Sequence, residues 1–268
     1  MNKFKIKDLI DTFVFSCFNV VSSIVFLFKL KEKKLIKQNI KFKDIHKNER
    51  CFIIGTGPSL KNLSKLDIER LKNETVFAVN SLYQAEIIDE ITPKYYTLMD
   101  NLFWGEDSYF FKEILEKYAD APPVFITDYR TRHYVKELGV EDKTFFVYNK
   151  LYPINSINDD FTKNMKISIN VVSTSILTAL FMGFKEIYLL GCDYNSFAST
   201  KDEHCYIECE ERYAKENLAY YLKFYYLTTT FHYYIAKLAI KKGVKITNIT
   251  PNSLLDAYPR KDISCVKW

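Results

Sequence analysis

Seven short apolar segments, separated by stretches of helical periodicity, constrain the fold of this chain more than any other feature. Continuous apolar stretches of this length are typical of strands buried on both faces. Strands that alternate with helices form a mostly parallel sheet. The sequence therefore predicts an α/β fold, with strands at Cys51–Ile54, Val76–Val79, Tyr95–Leu98, Val124–Ile126, Phe145–Tyr148, Glu186–Leu190 and Lys245–Asn248.

Three helices are predicted between or after these strands. One begins near Pro58–Ser59, one runs from about Val171 to Met182, and one runs from Tyr213 or Leu218 to Lys242. Gly183 and Gly243 follow the last two. Glycine directly after an apolar helical stretch is typical of a helix C terminus, because it adopts positive φ at low cost.

The distribution of charge excludes one class of partner. The chain carries a net charge of +5, but residues 1–50 hold 12 Lys and Arg against 5 Asp and Glu, which leaves 26 against 28 for residues 51–268. Nucleic-acid binding needs many basic side chains on one face of the folded domain. We therefore expect no nucleic-acid partner. The six cysteines lack paired spacing, which favours a reducing compartment over a disulfide framework.

The N-terminal basic segment also contains a long apolar stretch, Leu9 to Leu30. Its length is close to that of a transmembrane helix. Polar side chains recur every three or four residues and would form one stripe on a helix, and lysines follow the stretch, as in helices that bind anionic lipid. The stripe consists of Asp11, Thr12, Ser16, Asn19, Ser22 and Ser23, and the lysines are Lys29, Lys31, Lys33, Lys34, Lys37, Lys41 and Lys43.

Residues 1–48 are therefore predicted to associate with a membrane, and residues 49–268 to form the functional domain on its cytoplasmic side, because the lysines would resist translocation. A helix lying on the membrane surface explains the polar stripe better than a spanning helix does. A third alternative is a helix packed on the chain's own core or on another subunit of a homo-oligomer.

The first predicted strand leads directly into the turn Gly55-Thr56-Gly57-Pro58-Ser59. The two glycines would let a ligand approach the backbone, Pro58 suits a first helical position, and exposed N–H groups at a helix start favour an anion. A nucleotide phosphate or a sugar would fit there. The turn lacks the third glycine of a dinucleotide fingerprint and the Gly-Lys-Ser/Thr of a P-loop, so an ordinary tight turn is the alternative.

Three further strands end in polar side chains, at Asn80, Asp100 and Asp193. Parallel α/β sheets bind ligands at the carboxyl ends of their strands, so these three side chains are expected to converge on one cleft. The alternative is that each caps a turn or a helix, as Asn and Asp often do.

The blocks FIIGTGPSLKNL, VFAVNSLY, ALFMGFKEIYLLGCDYN and TPNSLL resemble the bacterial lipooligosaccharide sialyltransferases of glycosyltransferase family 42. They equally resemble the broader 6-hydroxymethylpterin diphosphokinase MptE-like family. The resemblance covers about residues 49–262. It implies a Rossmann-like, glycosyltransferase A-like domain with a small lid at about residues 194–217, and inverting transfer of sialic acid or a related ulosonic acid from a CMP-activated donor. No metal and no further cofactor are expected.

The resemblance also implies a set of site residues. The donor would contact Gly55, Thr56, Gly57, Pro58, Ser59, Asn80, Asp100, Ser168, Asn170, Pro251, Asn252 and Ser253, with Asp193 beside it. Asp100 departs from the family, which has Asn at this position. The acceptor would be a surface glycan, free or linked to lipid, at the bacterial inner membrane.

The position of the general base is ambiguous in the sequence. The family places a histidine base after the Gly-x-Asp strand and tyrosines near the donor phosphate that assist the leaving group. His204 and Tyr206 occur in that segment here and would take these two roles, but counting back from the Pro-Asn-Ser block puts the base at Tyr226. We favour His204, because histidine is the side chain best suited to take a proton near neutral pH. Asp193 and Glu203 are fallback bases. His232 lies in an aromatic helical segment and is expected in the core.

Two other functions remain open from the sequence. An ATP-dependent pterin diphosphokinase would need acidic magnesium ligands, for which Asp100 and Asp193 could serve. A nucleotide-sugar-binding protein without catalytic activity is the other alternative. His204, Cys205 and Cys209 are too few for a structural zinc site, which wants four ligands. The aromatic stretch Tyr220 to Leu238 is expected to pack one face in the core and to line the acceptor cleft with the other.

Overall fold

The seven predicted strands form one parallel sheet in the computed structural model, which describes residues 2–100, 103, 109–166, 170–198, 204–206 and 217–268. The strand order is β5-β4-β3-β2-β1-β8-β9. The strands are β1 (Arg50–Ile54), β2 (Val76–Val79), β3 (Tyr95–Leu98), β4 (Val124–Asp128), β5 (Thr144–Val147), β8 (Glu186–Leu190) and β9 (Lys245–Asn248), and a separate parallel pair consists of β6 (Asn149–Leu151) and β7 (Met165–Lys166). The predicted α/β class and parallel sheet are confirmed.

The order of the strands creates a switch point between β1 and β8. From β1 the chain builds the sheet outward in one direction through β2, β3, β4 and β5, and it then returns to add β8 and β9 on the other side of β1. Connections leave the two central strands in opposite directions, so a crevice opens at their carboxyl ends. Ligands bind at this place in open α/β sheets.

Two predicted helix ends match the structure closely. The helices are α1 (Lys3–Phe28), α2 (Leu30–Lys37), α3 (Lys65–Leu71), α4 (Tyr109–Lys117), α5 (Arg132–Glu137), α6 (Val171–Met182) and α7 (Leu218–Lys241). Gly183, at φ 96°, ends α6 as predicted, and α7 begins at Leu218. The helix predicted near Pro58 is a 3-10 turn over Pro58–Asn62, and α3 starts later with Ser64 as its cap.

Both faces of the sheet are covered by apolar cores. Alternate residues of β1 enter different cores: Phe52 and Ile54 pack on one side, and Cys51 and Ile53 pack on the other. The second core includes α6, of which every residue except Val171 is buried. A helix that is apolar on all sides requires such an enclosed position. Burial on both faces also explains why the strands are apolar without alternation.

Residues 30–48 belong to the packed body of the protein. Leu35 and Ile36 are buried in the first core, and Phe42 is buried in the second. The buried amide of Asn39 donates to the carbonyls of Phe146 and Phe161 and accepts from the Phe146 N–H. The predicted boundary at residue 48 therefore lies inside packed structure, because the helical segment that follows α1 supplies core side chains.

Helix α1 turns part of its polar stripe toward the protein. Asn19 donates to the carbonyl of Tyr152 and accepts from its N–H, at 2.9 and 2.7 Å, and Ser22 donates to the carbonyl of Lys150 at 2.8 Å. No residue of α1 is buried. Most of its apolar side chains are exposed, whereas Phe15 and Phe26 pack on the rings of Tyr152 and Tyr148. The helix is long and apolar enough to cross a membrane by length and composition.

Candidate active site

A cleft of about 810 Å³ lies at the carboxyl edge of the parallel sheet, over the switch point between β1 and β8. This volume lies within the range of small-molecule and cofactor sites. The cleft brings together eight residues predicted from the sequence, which come from six separate segments of the chain: Gly55, Thr56, Gly57, Asn80, Asp100, Asn170, Asp193 and His204.

The glycines of the β1 turn are required by the neighbouring strand. A Cβ on Gly55 would lie 2.4 Å from the carbonyl oxygen of Gly191, and a Cβ on Gly57 would lie 1.8 Å from the Asp193 carboxylate. The N–H groups of Gly55 and Gly57 donate to the carbonyls of Leu190 and Gly191, both at 2.8 Å. These glycines are therefore needed for close packing of the β1 turn against the turn that follows β8. The sequence predicted a ligand contact at the glycines and did not predict this packing.

The anion expected at the start of the Pro58 turn is a side chain of the protein. Ser59 donates its backbone N–H to one oxygen of Asp193 at 3.1 Å and its hydroxyl to the other at 2.8 Å. Burial raises the pKa of Asp193, and these two hydrogen bonds oppose the increase. Ser59 therefore contacts Asp193 instead of the cleft, and both oxygens of Asp193 are engaged. This arrangement makes Asp193 a positioning residue and a poor candidate for the base.

Asn80 brings an unsatisfied buried acceptor to the cleft wall. Its φ is +46°, a left-handed conformation that Asn tolerates better than most residues. The Tyr96 hydroxyl donates to its carbonyl at 2.9 Å. Its side-chain oxygen Oδ1 is buried and has no hydrogen-bond partner among the described residues. A buried acceptor of this kind costs free energy until a donor reaches it. A ligand hydroxyl or amino group in the cleft would supply that donor.

Asn170 marks the point where α6 meets the cleft. Its side chain caps the helix by accepting from the Ser173 N–H at 3.2 Å, and Val171 and Val172 of the first turn also line the cleft. The predicted contact of Ser168 with the donor lies outside the described residues. Asp100, at the end of β3, is exposed in the cleft.

His204 is held in the cleft by the β1 turn. The N–H of the next residue, Cys205, donates to the carbonyl of Thr56 at 2.8 Å. Tyr206 is buried in the first core, and its ring stacks on the His204 imidazole with centroids 5.0 Å apart. Tyr206 thus supports the histidine from the core side and does not line the cleft, contrary to its predicted contact with the leaving group. Glu203, the other fallback base, lies outside the described residues, as do parts of the predicted lid at 199–203 and 207–216.

Helix α7 divides its aromatic residues between the core and the cleft. His232 is fully buried with Phe231, and its Nδ1 lies 2.9 Å from the Tyr258 hydroxyl. Burial lowers the pKa of His232 to about 3, and its predicted place in the core is confirmed. Tyr226 is 59% exposed and lies outside the cleft wall. The cleft is instead lined by Tyr220, Lys223, Phe224, Tyr225 and Leu227.

The Pro-Asn-Ser block does not line the cleft. Pro251 and Asn252 are exposed on a turn, in which Asn252 has φ +55°. Ser253 is buried and donates to the Cys192 carbonyl, while it accepts from Asn248 at 2.9 Å. It therefore fixes the ends of β8 and β9 behind the cleft wall. The sequence predicted that this block lies beside the nucleotide, but its three residues lie outside the lining of the cleft.

Three charged residues of the cleft were missed in the sequence: Asp128, Arg130 and Lys150. Asp128 follows the same pattern as Asn80 and Asp100, a polar residue at a strand end, but β4 was predicted to stop at Ile126. Arg130 and Lys150 follow β4 and β5 in short irregular connections, where no periodicity marks them. Among the described residues, no group of three or more His, Cys, Asp or Glu side chains is placed to hold a metal ion.

Comparisons with known proteins give a match to a sequence family and a distant match to a solved structure. The sequence profile described as 6-hydroxymethylpterin diphosphokinase MptE-like matches residues 27–202. No curated protein sequence matches significantly. Among solved structures, the MAf glycosyltransferase from Magnetospirillum magneticum AMB-1 matches with a TM-score of 0.48 and 12% identity over 88% of this chain. The match spans only 39% of the length of that structure.

Proposed function

The chain belongs to the 6-hydroxymethylpterin diphosphokinase MptE-like family, and we propose that within this family it is an inverting glycosyltransferase that needs no metal. One observation carries the proposal: His204 lies in the wall of a nucleotide-sized cleft, beside the β1 turn and the start of α6. Imidazole is the side chain best suited to accept a proton from a hydroxyl group near neutral pH.

The reaction requires one proton transfer and one displacement at the sugar. Neutral His204 would accept the proton of an acceptor hydroxyl while that oxygen bonds to the anomeric carbon. The bond from this carbon to the donor phosphate breaks at the same time, and the nucleotide leaves with the bonding electron pair. Asn80 Oδ1 would accept a hydrogen bond from the sugar nucleotide. This bond would remove the free-energy cost of burying the oxygen without a partner.

The aromatic wall of the cleft suits a sugar. Tyr220, Phe224 and Tyr225 of α7 line the same cavity as His204. Aromatic rings offer apolar faces to a pyranose ring, and tyrosine adds a polar tip. By its resemblance to family 42, we propose a CMP-activated sialic acid or related ulosonic acid as donor and a surface glycan as acceptor.

We further propose that α1 lies in the plane of the cytoplasmic leaflet of the inner membrane. Asn19 and Ser22, in the middle to second half of the helix, bind the backbone of residues 150–152. A spanning orientation would draw this segment of the body toward the hydrocarbon, where unpaired backbone groups are costly. An in-plane helix keeps the body in water, and it places the exposed side chains of Phe13, Val20 and Val21 in lipid.

The kinase alternative is less well supported by the acidic side chains. Transfer of a diphosphate from ATP uses carboxylates that hold magnesium against the phosphates. Asp193 has both oxygens on Ser59, and Asp128 has both oxygens on Arg130. Asp100 is the third carboxylate among the described residues of the cleft wall.

The experiment that tests the proposal has two parts. The full chain in nonionic detergent is first screened by thermal shift with CMP, UDP, GDP and ATP, each with magnesium and with EDTA. We expect stabilisation by CMP in EDTA, since a ligand stabilises the state that binds it. Stabilisation only by ATP with magnesium would instead establish the kinase alternative.

The second part assigns the base with a pair of variants. His204→Ala should lower the rate of CMP-sugar turnover about 10²- to 10⁴-fold, the usual contribution of a general base, with CMP binding retained. Tyr226→Phe tests the competing alignment and should leave the rate unchanged, because Tyr226 lies outside the cleft wall. Turnover at the wild-type rate in His204→Ala would refute the assignment of His204 as the base. Loss of turnover in Tyr226→Phe but not in His204→Ala would assign the base to Tyr226.

A further inference from the structure

Two cations lie at the end of the cleft remote from the glycine turn. Arg130 follows β4 and Lys150 lies in β6, and both line the same cavity as His204. Three strand spacings separate β4 from β1 in the sheet, which is about 14 Å at the usual distance between neighbouring strands. The cleft therefore has room for a second ligand group beside a donor held at β1 and β8.

Arg130 is fixed in position by a buried carboxylate. Its Nε donates to Asp128 Oδ1 at 2.7 Å, one terminal nitrogen donates to Oδ2 at 3.1 Å, and its backbone N–H donates to Oδ1 at 3.0 Å. Asp128 is only 1% exposed. The pair holds the guanidinium plane rigidly at the cleft wall, as bidentate pairs do. The charge of Asp128 is matched by Arg130, so Lys150 adds a positive charge that this pair does not balance.

Lys150 is placed close to that guanidinium around one aromatic ring. The Lys150 ammonium lies 6.0 Å from the centre of the Tyr129 ring, and the Arg130 guanidinium carbon lies 5.8 Å from it. No carboxylate of the described residues lies within 4 Å of the Lys150 ammonium. Partial burial and the charge of Arg130 lower the pKa of Lys150. An anion bound beside Lys150 would favour its charged form and so offset the effect of partial burial.

The same residues connect directly to α1. Ser22 of α1 binds the carbonyl of Lys150, so the backbone of this lysine faces the helix while its side chain lines the cleft. A stack of three aromatic rings also joins them: Phe26 of α1 lies 4.8 Å from Tyr148, and Tyr148 lies 4.6 Å from Tyr129. The cationic end of the cleft is thus the end next to the outward-facing apolar surface of α1.

We propose that Arg130 and Lys150 form a second anion subsite, which binds the phosphate of a lipid-linked acceptor whose hydrocarbon chain lies along α1. The inference rests on the proposed function, and it names the class of acceptor: a glycan or alcohol carried on a phosphorylated lipid. The phosphate would anchor the acceptor at β4 and β6, and the carried group would extend along the strand ends toward His204.

Binding of geranyl phosphate to the full chain in nonionic detergent tests the subsite, measured by isothermal titration with geraniol and inorganic phosphate as partial ligands. We expect geranyl phosphate to bind at least about tenfold more tightly than either, because both the charged and the apolar contacts are then made. Lys150→Met should weaken binding about tenfold or more, and Lys150→Arg should retain most of it. Lys112→Met, on the exposed surface of α4, is the matched control.

Arg130→Gln should weaken binding similarly, but it leaves Asp128 buried without its partner and can unfold the chain. Lys150→Met keeps that pair intact, so it decides the matter if Arg130→Gln does not fold. Equal binding of geranyl phosphate to wild type and Lys150→Met would overturn the subsite. Inorganic phosphate binding as tightly as geranyl phosphate would overturn the lipid part, and geraniol doing so would overturn the anionic part.

A titration in saturating CMP separates this inference from the proposed function. Simultaneous binding of CMP and geranyl phosphate supports two subsites, whereas competition between them would assign Arg130 and Lys150 to the donor and refute the proposal. If CMP does not bind wild-type protein, the proposed donor is wrong. The geranyl phosphate titrations of the lysine variants still decide the anion subsite in that case.

Discussion

Replacement of Gly57 by alanine is expected to destabilise the protein, mainly through a clash with the Asp193 carboxylate. Gly57 has φ −64° and ψ 150°, which any residue adopts, so backbone conformation gives no reason for glycine here. An added Cβ would lie 1.8 Å from the Asp193 carboxylate and 2.7 Å from the Gly191 carbonyl oxygen. The first contact can be relieved only if Asp193 leaves the two donors of Ser59.

The magnitude follows from two costs. Overpacking a rigid site costs about 1–3 kcal/mol. Loss of the hydrogen bonds to the Asp193 carboxylate costs about 1.5–3 kcal/mol more, so the total is roughly 3–6 kcal/mol. Gly243→Ala is the matched control: Gly243 has φ +64° and no atom within 4 Å of an added Cβ, so only the backbone penalty of about 1–2 kcal/mol applies.

Urea unfolding followed by circular dichroism in nonionic detergent gives the two free energies. Gly57→Ala should lose clearly more stability than Gly243→Ala. In an Asp193→Ala background the additional cost of Gly57→Ala should fall by at least about 1 kcal/mol, because the carboxylate it displaces is gone. Equal losses in the two glycine variants, or an unchanged cost without Asp193, would refute the packing argument.

Three other predictions test separate parts of the structure. Burial lowers the pKa of His232 to about 3 in the folded chain, against about 6.5 in the unfolded chain. The contribution of neutral His232 to stability is therefore complete above pH 6.5 and is lost as the pH falls toward 3, by at most about 1.4 kcal/mol per pH unit. His232→Leu should flatten this slope in urea titrations at pH 4 to 7. Asn80→Gly permits the positive φ but removes the amide, so CMP affinity by calorimetry should fall about tenfold without loss of stability. Asn19→Ala removes both bonds to Tyr152 and should speed proteolytic release of α1, whereas Val21→Ala on the exposed face should not.

The sheet was predictable because burial on both faces leaves a direct trace in the sequence. Each strand of the main sheet is an apolar segment of four or five residues, and two glycines end the helices that cover them. The convergence of Asn80, Asp100 and Asp193 was also predictable, since parallel strands end at one edge of a sheet. These features depend on local composition and on one rule of topology.

The roles of individual side chains depended on distant contacts and could not be read locally. Ser59 lies in a typical anion-binding turn, but its partner Asp193 is 134 residues away in the sequence. Likewise the polar stripe of α1 predicts an amphipathic helix, while only the position of residues 150–152 shows that Asn19 and Ser22 contact the body. Arg130 and Lys150 carry no periodic signal at all, because they lie in irregular or very short elements.

The charges of the cleft bear on the choice between a CMP-sugar and ATP. The described residues of its wall include three carboxylates, Asp100, Asp128 and Asp193, and three cations, Arg130, Lys150 and Lys223, so the wall is neutral when His204 is neutral. A triphosphate in such a cleft would depend on metal ions for its charge balance, but two of the carboxylates are already engaged by Arg130 and Ser59. The single phosphodiester of a CMP-sugar requires far less compensation. The β1 turn offers it little positive potential, because Asp193 occupies the donors at Ser59. Recognition at that end must therefore come from polar groups such as Asn80, and Lys150 of β6 contributes its positive charge at the far end of the cleft.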